Sequence, residues 1–429
     1  MRRLLFTNAR LLDPASETDL LGELLVVGKQ IADLGRKVFD SPPPDVTVID
    51  CQSLCLAPGL VDMRAQLGEP GLAHKENYHT ALKAAASGGV TSIVAMPDTD
   101  PVLDHSAAME FVLRHARQLQ SAKVFPAAAI TRGLQGKELT NMGLLAEAGA
   151  LVFSDGFQSV GDTGLMHRAL AYASGFDLLI MHHAEDPSLR EHGVMNEGEV
   201  ATRLGLAGIP PMAEAIILER DMRLVAATGA RYHAAHISTK EGVEIIRRAK
   251  KQGLAVTADT APPYFSLTDI DVGEYRTFCK LSPPLRAEAD RQAVIEGLVD
   301  GTIDAIASDH YPQDQDEKRL PFGMAAFGGV GLETLLPVSL ELYHRGQMSL
   351  LDVLSTLSTE PAQILRLPAG QLAKGHAADF MVFDPDMPWK IEIERLHSKS
   401  KNSPFDHRPV MGRVMHTYVD GRLVYSYHG

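Results

Sequence analysis

Between residues 59 and about 365 the chain passes eight times from a short apolar run into an amphipathic stretch. The runs are GLVDM, TSIVAM, KVFPAAA, ALVFSD, DLLIMHHA, RYHAAHI, LAVTADT and IDAIASDH. Helical patterns separate them, among them AMEFVLRHARQLQ, TGLMHRALAYA, AEAIILERDMRLVAAT and KEGVEIIRRAKKQ. Eight strand–helix units over roughly 300 residues predict an α/β chain folded as a TIM-type (β/α)8 barrel rather than an open sheet.

The two ends of the chain read differently. LLFTNARLLD, ELLVVGKQIADLG and VTVIDCQSLCLAPG carry no helical period and predict a small antiparallel sheet. Strands return after about residue 368 in ADFMVFDP, GRVMHTYVDG and RLVYSYH. They are expected to pair with the N-terminal strands. Residues 1–57 and 368–429 would then build one β side domain around a barrel of residues 58–367. There is no internal repeat, and the PPP at 42–44 reads as a turn.

Composition narrows the function classes. Of the 429 residues 45% are hydrophobic and 22% charged, which is ordinary for a globular protein. No apolar run approaches the roughly 18 residues that span a bilayer, so no membrane association is expected. In MRRLLFTNARLLDP the apolar stretch breaks at Thr7 and Asn8 with no cleavage site behind it, which predicts a cytoplasmic protein without a signal peptide. Cys51, Cys55 and Cys279 supply neither a disulfide framework nor zinc–thiolate spacing. An excess of 54 carboxylates over 41 Lys and Arg argues against nucleic acid as a partner.

In a (β/α)8 barrel, chemistry belongs at the C-terminal ends of the strands. The polar residues there are Asp62, Arg64 and Gln66 after strand 1, Asp98 after strand 2 and Asp155 after strand 4. His183 follows strand 5, His236 strand 6 and Asp309 strand 8. A single strand-end histidine is usually a hydrogen-bonded core residue. Two histidines and two aspartates on one rim have the composition of a metal site.

With those residues in hand, the chain resembles the type I dihydroorotases of the amidohydrolase superfamily. PGLVDMRAQLGEPG, GGVTSIVAMPDTDP, HHAEDPSL, AAHISTKEGVEIIRRAK and KLSPPLRAEADRQAVIEGLVDGTIDAIASDHYP follow that family's text. So do FGGVGLETLLPVSLEL, GQLAKGHAADFMVFDP and SKSKNSPF. The resemblance implies a fold that opens dihydroorotate, or closes carbamoyl aspartate, with zinc-activated water and a strand-8 aspartate as general acid/base.

Carried over residue by residue, the resemblance is uneven. The family's first-strand histidine pair falls on Arg64 and Gln66. Its bridging carboxylate falls on Asp155, its two later histidines on His183 and His236, and its catalytic aspartate on Asp309. These four positions, Asp155, His183, His236 and Asp309, are the residual ligand set. The arginine that holds the substrate carboxylate falls on Gly68, and two substrate-binding asparagines fall on Asp98 and Ser282. The histidine of the family's DHAPH run falls on Gln313, and its PHH segment reads Pro262, Pro263 and Tyr264.

A guanidinium has no lone pair to donate and stays protonated, so Arg64 repels a divalent cation where the deeper one belongs. It is expected instead in the barrel mouth, ion-paired with Asp309, Asp155 or both. Two readings follow. In the first the chain is a pseudoenzyme without a cofactor, and the resemblance implies a non-catalytic partner of aspartate transcarbamoylase, a homo-oligomer, or both. In the second it is an active cyclic amidohydrolase working with one weakly held zinc on Asp155, His183 and His236, either as a residual dihydroorotase or on a related substrate.

Overall fold

The computed structural model describes residues 2–428. The chain opens with β1 (Arg3–Asp13), β2 (Thr18–Val27), β3 (Gln30–Gly35), β4 (Thr47–Asp50) and β5 (Cys55–Pro58). The barrel strands then begin with β6 (Leu60–Ala65), β7 (Val90–Ala95), β8 (Lys123–Ala128), β9 (Val152–Phe153) and β10 (Leu179–His183). A two-stranded pair, β11 (Met195–Asn196) and β12 (Gly208–Ile209), stands apart from the barrel. The barrel resumes with β13 (Arg231–Ala235), β14 (Val256–Thr260) and β15 (Ala305–Ile306). The last strands are β16 (Phe380–Lys390), β17 (Pro409–Val419) and β18 (Arg422–Ser426).

All eight barrel strands coincide with the eight apolar runs, and their pairing is parallel in the order β15-β14-β13-β10-β9-β8-β7-β6. The ring closes where Ala65 bridges His310 and the Gln66 amide donates to the His310 carbonyl at 2.8 Å. Inside it, Val61, Met63, Val94, Met96, Met181 and Ala307 pack as an apolar plug below the mouth. Leu60, Val90, Ile93 and Ile180 face outward onto the helices. The strands are therefore buried on both faces, which is why they read as continuous apolar runs without alternation.

The helices begin where the side chains say they should. Asn77, Asp162 and Thr239 each accept a first-turn amide and start the helices Tyr78–Ser87, Thr163–Gly175 and Lys240–Lys251.

The outer strands of both termini form one sheet, β18-β17-β16-β5-β1-β2-β3, with β4 also on β1. It differs from the expected antiparallel sheet in one respect: β4 and β5 run parallel to β1. The connection over residues 36–46 carries the chain back across the sheet, so β4 restarts in the direction of β1. No described helix is long and apolar enough to cross a membrane.

Candidate functional site at the barrel mouth

Arg64 sits at the end of β6, where the pairing register with β7 shifts between Asp62 and Ala65. Such irregularities re-aim side chains, and Arg64 enters the mouth with only 1% of its side chain exposed. Its Nε donates to Asp309 Oδ1 at 3.0 Å and its Nη2 to the Gly156 carbonyl at 3.0 Å. The guanidinium carbon lies 4.4 Å from the centre of the Phe157 ring. Phe157 in turn stacks on Tyr311, with centroids 4.2 Å apart and planes 14° from parallel. A buried cation is tolerable only when paired and hydrogen-bonded. Here a carboxylate, a carbonyl and an aromatic face share that work.

A polar chain continues from Asp309. Its Oδ1 lies 3.2 Å from His236 Nδ1, and His236 Nε2 shares a 2.6 Å hydrogen bond with His183 Nδ1. Asp309 and His236 both adopt left-handed backbone, at φ 49° and 40°, a strain that tends to cluster at functional sites. Burial opposes the Asp309 charge, but His236 and Arg64 outweigh it and hold the carboxyl below its ordinary range. Burial drives His183 down to about 3, so its imidazole is neutral at physiological pH.

Asp155 is not part of this chain. Its Oδ1 accepts the amides of Ile130 and Thr131 at 2.8 and 2.9 Å, and its Oδ2 accepts the Thr131 hydroxyl. Arg64 therefore pairs with Asp309 alone and meets the strand-4 end only through the neighbouring Gly156 carbonyl. Of the expected partners, Asp309, Asp155 or both, the structure has Asp309, while Asp155 accepts two amides and a hydroxyl.

The first two strand ends carry a second pair. Gln66 Nε2 donates to Asp98 Oδ2, while Asp98 Oδ1 is buried without a partner among the described residues. Burial pushes the Asp98 carboxyl above its ordinary range. Gly68 is a close approach of two backbones. At φ 74° a Cβ there would lie 2.0 Å from the Glu76 carbonyl oxygen. An arginine at 68 is therefore excluded by the path of the loop and not merely absent from it.

Ser282 lines the remaining cleft with Phe157, Asp309, Tyr311 and Phe405, and its buried hydroxyl has no partner among the described residues. The free space there is about 20 Å³, enough for one water. Ligand pockets usually offer roughly 300–1,000 Å³. The loops that cover the cleft are stitched by Lys318, whose Nζ donates to the carbonyls of Thr277, Lys280 and Ala326 at 3.0, 3.3 and 2.7 Å. Gln313 joins them, donating to the Phe327 carbonyl at 2.8 Å, and Tyr264 is anchored on the Pro283 carbonyl at 3.0 Å.

The structure thus brings His183, His236 and Asp309 together and leaves Asp155 outside. A zinc needs free lone pairs converging on one point. Arg64 holds Asp309, the two imidazoles bond each other, and Asp155 is spent on amides. Among the described residues no group of three His, Cys, Asp or Glu side chains is placed to hold a metal ion. This donor set does not fit the family's zinc.

Phe157 and Tyr311, which fill the mouth, were not singled out from the sequence. One signal existed: DHYP stands where the resembled family has DHAPH, so Tyr311 replaces an alanine. Glu185 was also missed. Its Oε2 lies 2.8 Å from Arg190 Nε and 3.5 Å from His183 Nε2.

A family model described as dihydro-orotase-like matches residues 54–242, and one described as amidohydrolase family matches residues 321–425. A dihydroorotase of Anaplasma phagocytophilum is 46% identical over 98% of this chain and 94% of its own length. One from Syntrophotalea carbinolica is 44% identical over 99% of each. Among solved structures, the L-hydantoinase of Arthrobacter aurescens superimposes with a TM-score of 0.88 at 25% identity, over 99% of this chain and 96% of that one. The dihydropyrimidinase of Brevibacillus agri gives 0.85 at 23% identity, covering 99% and 95%, and supports the fold alone. Barrel, side sheet and relatives agree: the chain belongs to the dihydroorotase family of the amidohydrolase superfamily.

Proposed function

We propose that this chain is a dihydroorotase-like protein of pyrimidine biosynthesis that does not turn over dihydroorotate. The observation that carries the reading is the ion pair of Arg64 with Asp309 at 3.0 Å. A general base must be free to take a proton from the attacking water. Asp309 is instead bound to a permanent cation, and against its burial His236 and that cation together hold it below its ordinary range. Two further features support the same reading: no room for a substrate-binding side chain at Gly68, and a mouth filled by Phe157 and Tyr311.

The role left to such a chain is the one its family resemblance implies, a non-catalytic partner of aspartate transcarbamoylase that needs no metal of its own. The barrel and its outer surfaces do not depend on the residues lost from the mouth. Two assays test the proposal. With zinc supplied, the purified protein should give no dihydroorotate hydrolysis or carbamoyl aspartate cyclisation above background. Mixed with the aspartate transcarbamoylase of the same organism, it should sediment as a larger assembly. Turnover at about 1 s⁻¹ or more, within the ordinary enzyme range, would favour the amidohydrolase reading. Independent sedimentation of the two proteins would remove the partnership.

A further inference from the structure

Away from the mouth, a groove of about 250 Å³ runs between the helix ends of the barrel and the C-terminal strands of the side sheet. Arg413 of β17 stands in it, its guanidinium carbon 4.0 Å from the Trp389 ring centre and 4.6 Å from that of Tyr427. The Trp389 indole donates to the Gly412 carbonyl at 2.8 Å, which fixes the ring that the cation rests on. Two aromatic rings thus hold the guanidinium in place, and Tyr425 borders it on the same wall of the groove.

The carboxylates nearby are already engaged. Glu333 accepts His397 Nδ1 at 2.8 Å, the His397 amide at 2.7 Å and the Ser87 hydroxyl at 2.9 Å. Glu392 Oε2 lies 2.7 Å from Arg395 Nε. Asp384, opposite Arg413 across the strands, accepts the Asp386 amide at 2.9 Å. Arg413 itself makes no ion pair among the described residues, and neither does the exposed Lys390 that also lines the groove. Lys390, Arg395 and Arg413 line the groove against Glu333 and Glu392, a formal balance of one positive charge, in a chain whose formal net charge is −13.

We propose that this groove binds a phosphate-bearing small molecule, with Arg413 as its fork and Lys390 as a second cation. A planar guanidinium matches phosphate oxygens two at a time, which a lysine cannot do. Holding it between rings removes rotamer freedom before the ligand arrives, so less is lost on binding. The site lies outside the barrel mouth and uses none of its residues, so it stands or falls independently of the catalytic reading.

Trp389 is the only tryptophan in the chain, so its fluorescence reports on this site alone. Titration of the full chain with inorganic pyrophosphate at constant ionic strength should give a saturable change, confirmed by calorimetry. The change should be absent with acetate. Arg413→Gln should weaken binding at least tenfold and Lys390→Ala at least threefold, with circular dichroism and melting temperature showing that both variants fold. If Arg413→Gln does not fold, the exposed Lys390→Ala variant decides. No saturable response in the natural protein, an equal response to acetate, or unchanged affinity in the folded variants would overturn the proposal.

Discussion

The two sides of the barrel mouth hold similar kinds of residue for different reasons. At the ends of β6 and β7, Arg64, Gln66, Gly68 and Asp98 replace the ligands and substrate contacts of the resembled family; Arg64 bonds the opposite wall and Gln66 bonds Asp98. At the ends of β9, β10 and β13, Asp155, His183 and His236 keep the family's residue types. Yet Asp155 there accepts two backbone amides and a hydroxyl, and the two histidines bond each other. A carboxylate that satisfies buried amides has a structural use that does not require a metal, since an orphaned amide costs about 1–3 kcal/mol. A ligand-type residue can therefore outlast its ligand. The retained half is not by itself a remnant of activity.

The largest expected effect probes how far the rewriting of the β6 side extends. In Arg64→His with Gln66→His the two imidazoles return, but Gly68 still has no space for a side chain and the aromatic pair still fills the mouth. A lost charge-assisted contact costs roughly 1.5–3 kcal/mol. With the obstructed mouth added, turnover of dihydroorotate should stay at least about a thousandfold below an ordinary enzyme. Recovery to ordinary rates would show that the ligand pair was the whole difference between the two sides.

Arg64→Met removes the cation that spans the two sides. Breaking a buried pair from one end costs about 3–5 kcal/mol, to be read by denaturant unfolding. A loss below about 1 kcal/mol, the range of an exposed pair, would mean that Asp309 finds another partner and Arg64 does not hold the mouth together.

Asp62 sharpens the comparison through pH. Its buried carboxyl accepts the Ser308 amide at 2.9 Å, and burial pushes it up to about 6. A carboxyl raised on folding binds more protons when folded, so its contribution is favourable in acid and is lost as pH rises from about 4 through about 6. The swing is on the order of 3 kcal/mol. Asp62→Asn should flatten this part of the stability–pH curve. An unchanged slope would contradict the assignment.

The smallest effect belongs to the aromatic pair in the mouth. Tyr311→Leu loses the ring stacked on Phe157, worth about 0.5–1.5 kcal/mol beyond burial, and should lower the unfolding midpoint slightly. A rise in stability would show that the stack is strained rather than supportive.

The barrel, the side domain and the pairing of Arg64 with Asp309 were legible because each rests on a pattern within the chain: apolar runs, strand-end positions, and charge that must be balanced. What escaped depends on backbone geometry between distant segments. The amides that hold Asp155 come from Ile130 and Thr131 on the preceding loop. The obstacle at Gly68 is the Glu76 carbonyl, whose position no local pattern encodes. The parallel entry of β4 follows from a connection whose path the residues 36–46 do not announce.

The claim that Arg64 stands where the family places metal is tested most directly by counting zinc. Protein purified without chelator from zinc-supplemented cells, and analysed by plasma emission spectrometry, should carry well under one zinc per chain. One tightly held zinc, or two, would contradict it, because the ion pair of Arg64 with Asp309 and the hydrogen bonds of Asp155 would then have to give way.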